Sequence, residues 1–262
     1  MKDNMHTKSE KLEAFGQLLE IMDELRAKCP WDREQTMESL RNLTIEETYE
    51  LADAILDEDL EEVRKELGDL ILHIVFYSRI GSEKGAFDIA DVIRGINEKL
   101  IFRHPHVFGE RKVKDSGEVI QNWEELKMRE GNRSVLAGVP VSLPAMVKSH
   151  RIQDKARAVG FDWDEREQVW DKVLEEINEV RQELGNGNNK ERIEEELGDL
   201  LFSVVNAARL YDIEPETALE RTNRKFIKRF KFLEKKADEL GKSLREMSLD
   251  EMEAIWQEAK IR

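Results

Sequence analysis

The chain has 262 residues, of which 40% are hydrophobic and 38% charged, and it contains only five prolines. Leu, Glu, Lys, Ala and Arg dominate, which is typical of long helices, so the composition predicts an all-α protein with room for one large or two modest domains. The formal net charge of −15 argues against DNA or RNA as a partner, because a polyanion is bound through lysines and arginines along the contact.

Cysteine content and hydropathy indicate a soluble cytoplasmic protein. Cys29 is the single cysteine, so no disulfide can form within the chain. The first residues, MKDNMHTKSEK, are charged and lack the apolar run of a signal peptide. No apolar stretch reaches the roughly 18 to 20 residues of a membrane-spanning helix. We therefore expect no membrane partner.

Apolar residues recur at spacings of three and four along most of the chain, which predicts amphipathic helices punctuated by the prolines. In the first half, the pattern predicts helices near residues 9–28, 36–56, 58–80, 88–103 and 116–130. In the second half, it predicts helices near residues 145–158, 165–185, 190–211, 215–240 and 248–260. Ser248 and Glu251 have the spacing of a capping box at the start of the last helix.

A linker separates two predicted domains. The segment 131–145, GNRSVLAGVPVSLPA, has the Gly, Pro and Ser content of a connection without regular structure. We therefore expect an N-terminal helical domain at residues 1–130 and a C-terminal helical domain at residues 146–262.

The two halves of the chain repeat one another. EETYELAD at 46–53 matches EEINEVRQ at 175–182, and KELGDLILHIVFYSR at 65–79 matches EELGDLLFSVVNAAR at 195–209. Three shorter patterns also recur: Trp-Asp, Asn-x-Lys-x-x-x-Arg and Trp-x-x-x-Lys. All five elements occur in the same order and are displaced by 126 to 133 residues, which predicts a tandem repeat of one helical unit.

Each repeat carries Glu-Glu-x-x-Glu on one predicted helix and Glu-x-x-Asp on the next. Residues three apart share a helix face, so these carboxylates can converge between adjacent helices. Unpaired carboxylates that close would repel and raise each other's pKa, whereas a divalent cation would hold them together. Oxygen ligands suit Mg²⁺ or Mn²⁺. The motif residues are Glu46, Glu47, Glu50, Glu66 and Asp69, and then Glu175, Glu176, Glu179, Glu196 and Asp199.

A solvated helix face is the alternative interpretation of any one Glu-x-x-Glu motif in a chain this rich in glutamate. Repetition of the whole pattern in both halves favours a metal-binding site. Gly68 and Gly198 lie inside the motifs, where glycine costs ~1 kcal/mol of helix propensity relative to alanine, so we expect a neighbouring helix to approach closely there. His73 follows Asp69 by four residues but matches Ser203 in the second repeat, so we expect it to be structural.

These motifs, together with CPWD at 29–32 and HPHVFGE at 104–110, resemble the MazG family of nucleoside triphosphate pyrophosphohydrolases, within the all-α NTP pyrophosphatase superfamily. The resemblance covers nearly the whole chain. It implies two tandem MazG-like helical bundles in an intertwined homodimer. It also implies Mg²⁺-dependent hydrolysis of nucleoside triphosphates to a nucleoside monophosphate and pyrophosphate, in nucleotide-pool house-cleaning or control of nucleotide levels.

The resemblance assigns functions to individual residues. Its metal ligands correspond to Glu176, Glu179, Glu196 and Asp199, with Glu47, Glu50, Glu66 and Asp69 as the equivalent set in the first repeat. Its nucleotide contacts correspond to Lys172, Glu175, Arg192, Glu195, Lys225, Arg229 and Trp256, and Asn223 belongs to the same pattern as Lys225 and Arg229. Trp256 would either stack on a base or pack in the core. Glu175 or Glu179 would orient or deprotonate the attacking water.

Cations distinguish the two repeats. Lys172 precedes Glu176 by four residues and Arg192 precedes Glu196 by four, which places a cation one turn from each carboxylate pair. The matching residues of the first repeat are Leu43 and Glu62. We therefore expect the second repeat to hold the main catalytic site, and the first to be weaker or mainly structural.

The chain lacks the motifs of two other classes of enzyme. A ferritin-like di-metal oxidase needs Glu-x-x-His pairs, and no histidine here follows a glutamate at that spacing. A P-loop ATPase needs GxxxxGK[ST], which is absent. A helical adaptor whose metal sites only stabilise the fold stays an open alternative.

Overall fold

The computed structural model describes residues 6–115, 117–119, 122–123, 126, 134–163, 165–187 and 189–261. Every regular element in these ranges is a helix, which confirms the predicted all-α class. The chain divides into two compact units, Met1–Lys112 and Val113–Arg262, and each contains one repeat. The domain boundaries at residues 130 and 146 stay a prediction.

The first unit is built around a helical hairpin. Its helices are α1 (Lys8–Lys28), α2 (Pro30–Glu34), α3 (Met37–Leu56), α4 (Leu60–Glu83), α5 (Ile89–Arg103) and α6 (Pro105–Phe108). Helices α3 and α4 pack against each other along most of their length, and α1 and α5 contact α4. The side chain of Asp59 caps α4 by accepting hydrogen bonds from the backbone of Glu61 and Glu62, which ends the short connection between the two helices.

The core of the first unit lies between α1, α3 and α4. Its buried residues are Met22, Leu40, Val75, Phe76 and Ile80. Phe76 and Ile80 are four residues apart on α4, so one stripe of that helix supplies much of the core. Glu66 and Asp69 precede this stripe and lie nearer the start of α4.

The second unit contains the equivalent hairpin. Its helices are α7 (Ala145–Arg157), α8 (Val169–Gly185), α9 (Lys190–Leu210), α10 (Pro215–Glu239) and α11 (Leu249–Ile261). Helices α8 and α9 pack together as α3 and α4 do, α7 contacts both α9 and α10, and α11 packs on α10. Val169, Val173 and Ala207 form the buried cluster of this hairpin. The tandem repeat is thus confirmed at the level of paired helices.

The predicted helices agree with the structure to within a few residues, and the capping box at the start of α11 is present. Ser248 N donates to Glu251 Oε2 at 2.8 Å, and Glu251 N donates to Ser248 Oγ at 3.2 Å. Two short helices, α2 and α6, are additional to the prediction, which treats Pro30 and Pro105 as interruptions. Each proline is instead in the first turn of a helix. A backbone N–H at this position has no acceptor within the helix, so the missing N–H of proline costs no hydrogen bond. Most of the helix predicted at 116–130 lies outside the described residues.

Within the described ranges, no helix combines the length and the hydrophobicity that a bilayer-spanning helix requires.

Candidate metal and nucleotide site

The predicted carboxylates converge in both units. In the second unit, α8 and α9 bring one oxygen from each of Glu176, Glu196 and Asp199 within 4.8 Å of one another. In the first unit, α3 and α4 do the same with the equivalent residues Glu47, Glu66 and Asp69. We call these groups the second and the first carboxylate triad. The spacing of the motifs on adjacent helices produces this convergence.

The fourth motif residue of each set lies beside its triad. Burial raises the pKa of Glu179, and the charges of Glu176 and Glu196 raise it further. In the first unit, burial raises the pKa of Glu66, and the charges of Glu50 and Asp69 add to the effect. Glu50 and Glu179 are therefore close enough to share the negative field of the triads, although neither belongs to the group of oxygens within 4.8 Å.

Each triad contains a buried oxygen that the protein does not satisfy. Glu66 Oε2 and Glu176 Oε2 are inaccessible to solvent and accept no hydrogen bond from the described residues. An unsatisfied buried carboxylate oxygen is costly, and a bound cation would remove that cost. Three or four carboxylates without nitrogen or sulfur ligands are the donor set of a hard divalent ion such as Mg²⁺. The residues present thus fit such an ion.

A lysine accompanies the second triad. Lys172 Nζ lies 2.7 Å from Glu176 Oε1 and 2.9 Å from Glu175 Oε1. These contacts raise the pKa of the Lys172 ammonium group, which keeps its positive charge beside the triad. In the first unit, the matching Leu43 packs against the hydrophobic core and offers no charge.

Arg192 lies one turn before Glu196 on α9 and forms an ion pair with the neighbouring helix α8. Its guanidinium Nη1 lies 3.8 Å from Glu183 Oε1 on α8, so the ion pair that it forms is with Glu183 and not with Glu196. Its side chain is 63% exposed, and a long exposed side chain can form ion pairs with any of several nearby carboxylates. Glu195, in the same first part of α9, is also exposed.

The two glycines of the motifs meet no neighbouring helix. A Cβ atom built on Gly68 or Gly198 would have no heavy atom within 4 Å among the described residues. The expectation of a close helix approach is therefore wrong for the chain by itself. Both glycines lie on the exposed sides of their helices, beside the exposed Leu67 and Leu197.

His73 has a structural environment. It is buried, and its Nδ1 lies 2.6 Å from the hydroxyl of Thr44 on α3, which is also 2.7 Å from the hydroxyl of Tyr77. Burial lowers the pKa of His73, which favours the neutral ring. These contacts tie α3 to α4, in agreement with the structural role that the match to Ser203 predicts.

The predicted nucleotide contacts on α10 and α11 form a separate group. Lys225 is exposed and Arg229 half-buried, one turn apart on α10, and Asn223 Nδ2 donates to Glu220 at 3.3 Å. The ring of Trp256 packs on that of Phe226, with 5.0 Å between centroids. None of these four predicted contacts lines the cavity beside the second triad.

That cavity has a volume of about 920 Å³ and lies entirely within the second unit. Lys172, Glu176 and Asp199 are among the residues that line it. One sequence difference points to the rest of its lining: Asn206 is polar where the matching residue of the first repeat is the apolar Phe76. Its other walls are formed by residues outside the predicted site, including Gln153, Phe161, Asp162, Trp163, Phe202, Asn206 and Arg209.

Comparisons with known proteins agree with the repeat. A family model described as MazG nucleotide pyrophosphohydrolase domain matches residues 35–108 and 165–233, one match in each unit. The chain is 41% identical over 251 residues to the nucleoside triphosphate pyrophosphohydrolase/pyrophosphatase MazG of Thermotoga maritima, covering 94% of this chain and 95% of that protein. It is 42% identical over 254 residues to the nucleoside triphosphate pyrophosphohydrolase of Escherichia coli K12, covering 94% and 97%.

Proposed function

Because the chain belongs to the MazG family, we propose that it is a nucleoside triphosphate pyrophosphohydrolase that yields a nucleoside monophosphate and pyrophosphate. The observation that carries this proposal is the second carboxylate triad, with its unsatisfied buried oxygen, beside a cavity of ligand size that Glu176 and Asp199 line. The relatives from Thermotoga maritima and Escherichia coli are both named as nucleoside triphosphate pyrophosphohydrolases.

The metal ligands of the proposed enzyme are Glu176, Glu179, Glu196 and Asp199. Their oxygens would hold Mg²⁺, with Mn²⁺ as a substitute. When bound, the metal would supply charge neutralisation on the phosphates and acidify a coordinated water. The equivalent residues Glu47, Glu50, Glu66 and Asp69 would hold a second ion in the first unit, where we propose that its effect is mainly structural.

Lys172 would bind the phosphates, and a neighbouring glutamate would activate the attacking water. The Lys172 ammonium group, already beside the triad, would pair with the negative charge of the triphosphate. Either Glu175 or Glu179 would orient or deprotonate the attacking water, since both lie within one turn of Glu176.

The remaining nucleotide contacts are proposed from the family resemblance. Arg192 and Glu195 lie in the first part of α9, and Lys225 and Arg229 lie one turn apart on α10. Two cations at that spacing can neutralise phosphate oxygens that the metal does not reach. Asn223 and Trp256 complete the set on α10 and α11.

Three differences support the second unit as the main catalytic site. It has Lys172 where the first unit has Leu43, its triad adjoins the large cavity, and it has the polar Asn206 where α4 has Phe76. In the first unit, the matching space is filled by Phe76 in the core and by the His73–Thr44 pair. A nucleotide would therefore find less room beside the first triad.

We also propose an intertwined homodimer. Both units expose large apolar residues at matching positions, each 38% to 60% exposed, and one chain alone leaves them uncovered. The matching pairs are Ile45 and Leu174, Leu67 and Leu197, Ile71 and Leu201, Ile74 and Val204, Ile93 and Leu219, Leu100 and Phe226, and Ile101 and Ile227. A second copy presents the same face and would cover them. A cytoplasmic role in nucleotide-pool house-cleaning completes the proposal.

Product analysis tests the proposed reaction. The protein is incubated with a nucleoside triphosphate and Mg²⁺ in ¹⁸O-labelled water, and the products are identified by ³¹P NMR and mass spectrometry. The proposal expects pyrophosphate and a nucleoside monophosphate, and no turnover with a chelator. Production of inorganic phosphate and a nucleoside diphosphate would contradict it. An inert protein that binds the metal and the nucleotide would instead favour the adaptor alternative.

A further inference from the structure

The turn between α8 and α9 contains the only Asn-Gly pair of the sequence, Asn186 and Gly187. Asparagine is one of the thermolabile residues of proteins. The carbon of its side-chain amide can be attacked by the backbone nitrogen of the next residue, and glycine leaves that nitrogen unhindered because it has no Cβ atom. Reaction requires that both groups are free of other contacts.

The backbone nitrogen of Gly187 is free. Within the described part of the chain, it donates no hydrogen bond. The matching residue of the first unit is Glu58, whose backbone nitrogen donates to Ile55 O at 3.2 Å. Gly187 has φ of +109°, in the region that favours glycine. The nitrogen that would attack is therefore held in the first unit and unheld in the second.

The side chain of Asn186 is also free. It is exposed, and it forms no hydrogen bond with the described residues. The backbone nitrogen of Asn186 donates to Gln182 O at 3.0 Å and to Glu183 O at 3.2 Å, so the residue is fixed on the side of α8. No hydrogen bond fixes the side of Gly187. Rotation about the Cα–C bond of Asn186 can therefore bring the Gly187 nitrogen to the side-chain amide carbon.

Two other asparagines of the same hairpin lack this combination. Asn189 caps α9, and its Oδ1 accepts a hydrogen bond from Glu191 N at 3.2 Å. Asn178 is exposed but lies in the interior of α8, where the backbone nitrogen of Glu179 is held in the helix. Both asparagines therefore serve as internal controls for Asn186.

We propose that Asn186 is a site of spontaneous deamidation through a cyclic imide with Gly187. In the first step, the Gly187 nitrogen loses its proton and forms a bond to Asn186 Cγ. The bond from Cγ to the side-chain nitrogen breaks, and ammonia leaves with that proton. In the second step, solvent water adds to one of the two imide carbonyl carbons, and the bond from that carbon to the Gly187 nitrogen breaks. The products are aspartate and isoaspartate, without any change in oxidation state.

The first unit indicates what each product does to the turn. Asp57 occupies the position that matches Asn186, and both residues end their helices with similar backbone angles, φ −83° and ψ −4° against φ −87° and ψ 8°. Aspartate at residue 186 thus fits the turn. Isoaspartate runs the backbone through the side chain and adds a methylene group to it. This product lengthens the connection between the helices that carry Glu176 and Glu196.

The reaction is measured on the full-length protein. The protein is incubated in a mildly alkaline buffer and digested at intervals with pepsin in acid, which stops the reaction, and mass spectrometry follows the conversion of amide to acid at each asparagine. We expect Asn186 to react at least about tenfold faster than Asn178 and Asn189, which corresponds to about 1.4 kcal/mol in the activation barrier. The rate should rise with pH, because the deprotonated backbone nitrogen is the nucleophile.

Isoaspartate distinguishes the imide route from direct hydrolysis of the amide, since only opening of the imide produces it. A protein isoaspartyl methyltransferase with labelled S-adenosylmethionine measures its amount. Incubated wild-type protein should accept label, whereas Asn186→Asp, which contains the normal acid from the start, should accept little. Labelling of both proteins to the same extent would place the isoaspartate at another residue and overturn the proposal.

Two glycine variants test the role of the attacking nitrogen. Gly187→Glu introduces the residue of the first repeat and should slow the reaction at Asn186 at least about tenfold. Gly185→Ala changes the glycine on the other side of Asn186, where a Cβ atom would meet no described atom within 4 Å, and should leave the rate unchanged. Circular dichroism checks the fold of both variants.

Several results would overturn the proposal. Asn186 may not react at the rate of Asn178 or Asn189 in the wild type, a comparison that stands even where Gly187→Glu fails to fold. A wild-type rate in folded Gly187→Glu, or an equal loss of rate in Gly185→Ala, excludes the Gly187 nitrogen as the specific nucleophile. Aspartate without isoaspartate shows direct hydrolysis. None of these measurements depends on nucleotide hydrolysis, so the proposed function is tested separately.

Discussion

Lys172 Nζ lies 2.7 Å from Glu176 Oε1, whereas the residue in the matching position of the first unit, Leu43, packs against that unit's hydrophobic core. This contact places a fixed positive charge beside one triad and leaves the other without it. A substrate with several negative charges approaches the second triad at lower electrostatic cost.

The substitution Lys172→Leu introduces the residue of the first repeat and removes that charge. We expect kcat/KM for a nucleoside triphosphate to fall about 10- to 100-fold, because a charge-assisted contact with the substrate is lost. Steady-state kinetics with Mg²⁺ measures the effect. Lys231→Leu, at an exposed lysine of α10, serves as the control and should leave kcat/KM near the wild-type value. Equal losses in both variants would mean that only overall charge matters.

A charged substitution on the exposed face of α9 tests whether the protein forms the proposed homodimer. Leu201 is 60% exposed, and Leu201→Glu would bury a charge if a second copy covers this face. We expect light scattering to show a dimeric wild type and a largely monomeric variant. Leu240→Glu, at an equally exposed leucine outside the matching positions, should stay dimeric. A wild-type protein that is monomeric at micromolar concentration would disprove the proposed assembly.

Removal of the Thr44 hydroxyl tests whether His73 has a structural role. Thr44→Val keeps the shape of the side chain but leaves His73 Nδ1 and the Tyr77 hydroxyl without their shared partner. We expect the unfolding free energy of the first unit to fall by about 1 to 3 kcal/mol, measured by chemical denaturation. Pyrophosphate release should change little. Loss of hydrolysis with unchanged stability would instead point to a chemical role for His73.

Arg26 and Glu83 give a pH-dependent contribution to stability. The guanidinium of Arg26 hydrogen-bonds Glu83, with Nε 2.9 Å from Oε1, and holds the pKa of that carboxyl below its usual value. Since the folded pKa is the lower one, the contribution is complete above the unfolded pKa of about 4.3 and is lost as the pH falls through the folded pKa. Glu83→Gln should therefore cost about 1 kcal/mol at pH 7, because the pair is partly exposed, and progressively less below about pH 4. A difference independent of pH would exclude the ion pair as its source.

The helices and the two triads are predictable from the sequence because both depend on short-range periodicity. Residues three and four apart share a helix face whatever the surroundings, so the motif spacing alone places Glu176 and Glu196 on facing stripes of adjacent helices. The same rule predicts the Lys172 contact. The capping box at Ser248 follows from local backbone geometry alone and is present.

The remaining features depend on tertiary packing. Arg192 pairs with Glu183 from the neighbouring helix, a choice that spacing along α9 does not specify. The cavity arises from the fit of α7 against α9, so the unsatisfied oxygen of Gln153 is a property of the packed helices that no sequence motif encodes. The packing role predicted for Gly68 and Gly198 finds no neighbour in the described chain.

The most direct test compares matched substitutions in the two triads. Glu176→Gln and Asp199→Asn are made in the second unit, and Glu47→Gln and Asp69→Asn in the first, and the rate of Mg²⁺-dependent pyrophosphate release is measured for each. We predict that the second-unit variants lose more than about a hundredfold in rate, while the first-unit variants keep most of theirs. Full activity in both second-unit variants, or its loss only in the first-unit pair, would contradict the assignment of catalysis to the second triad.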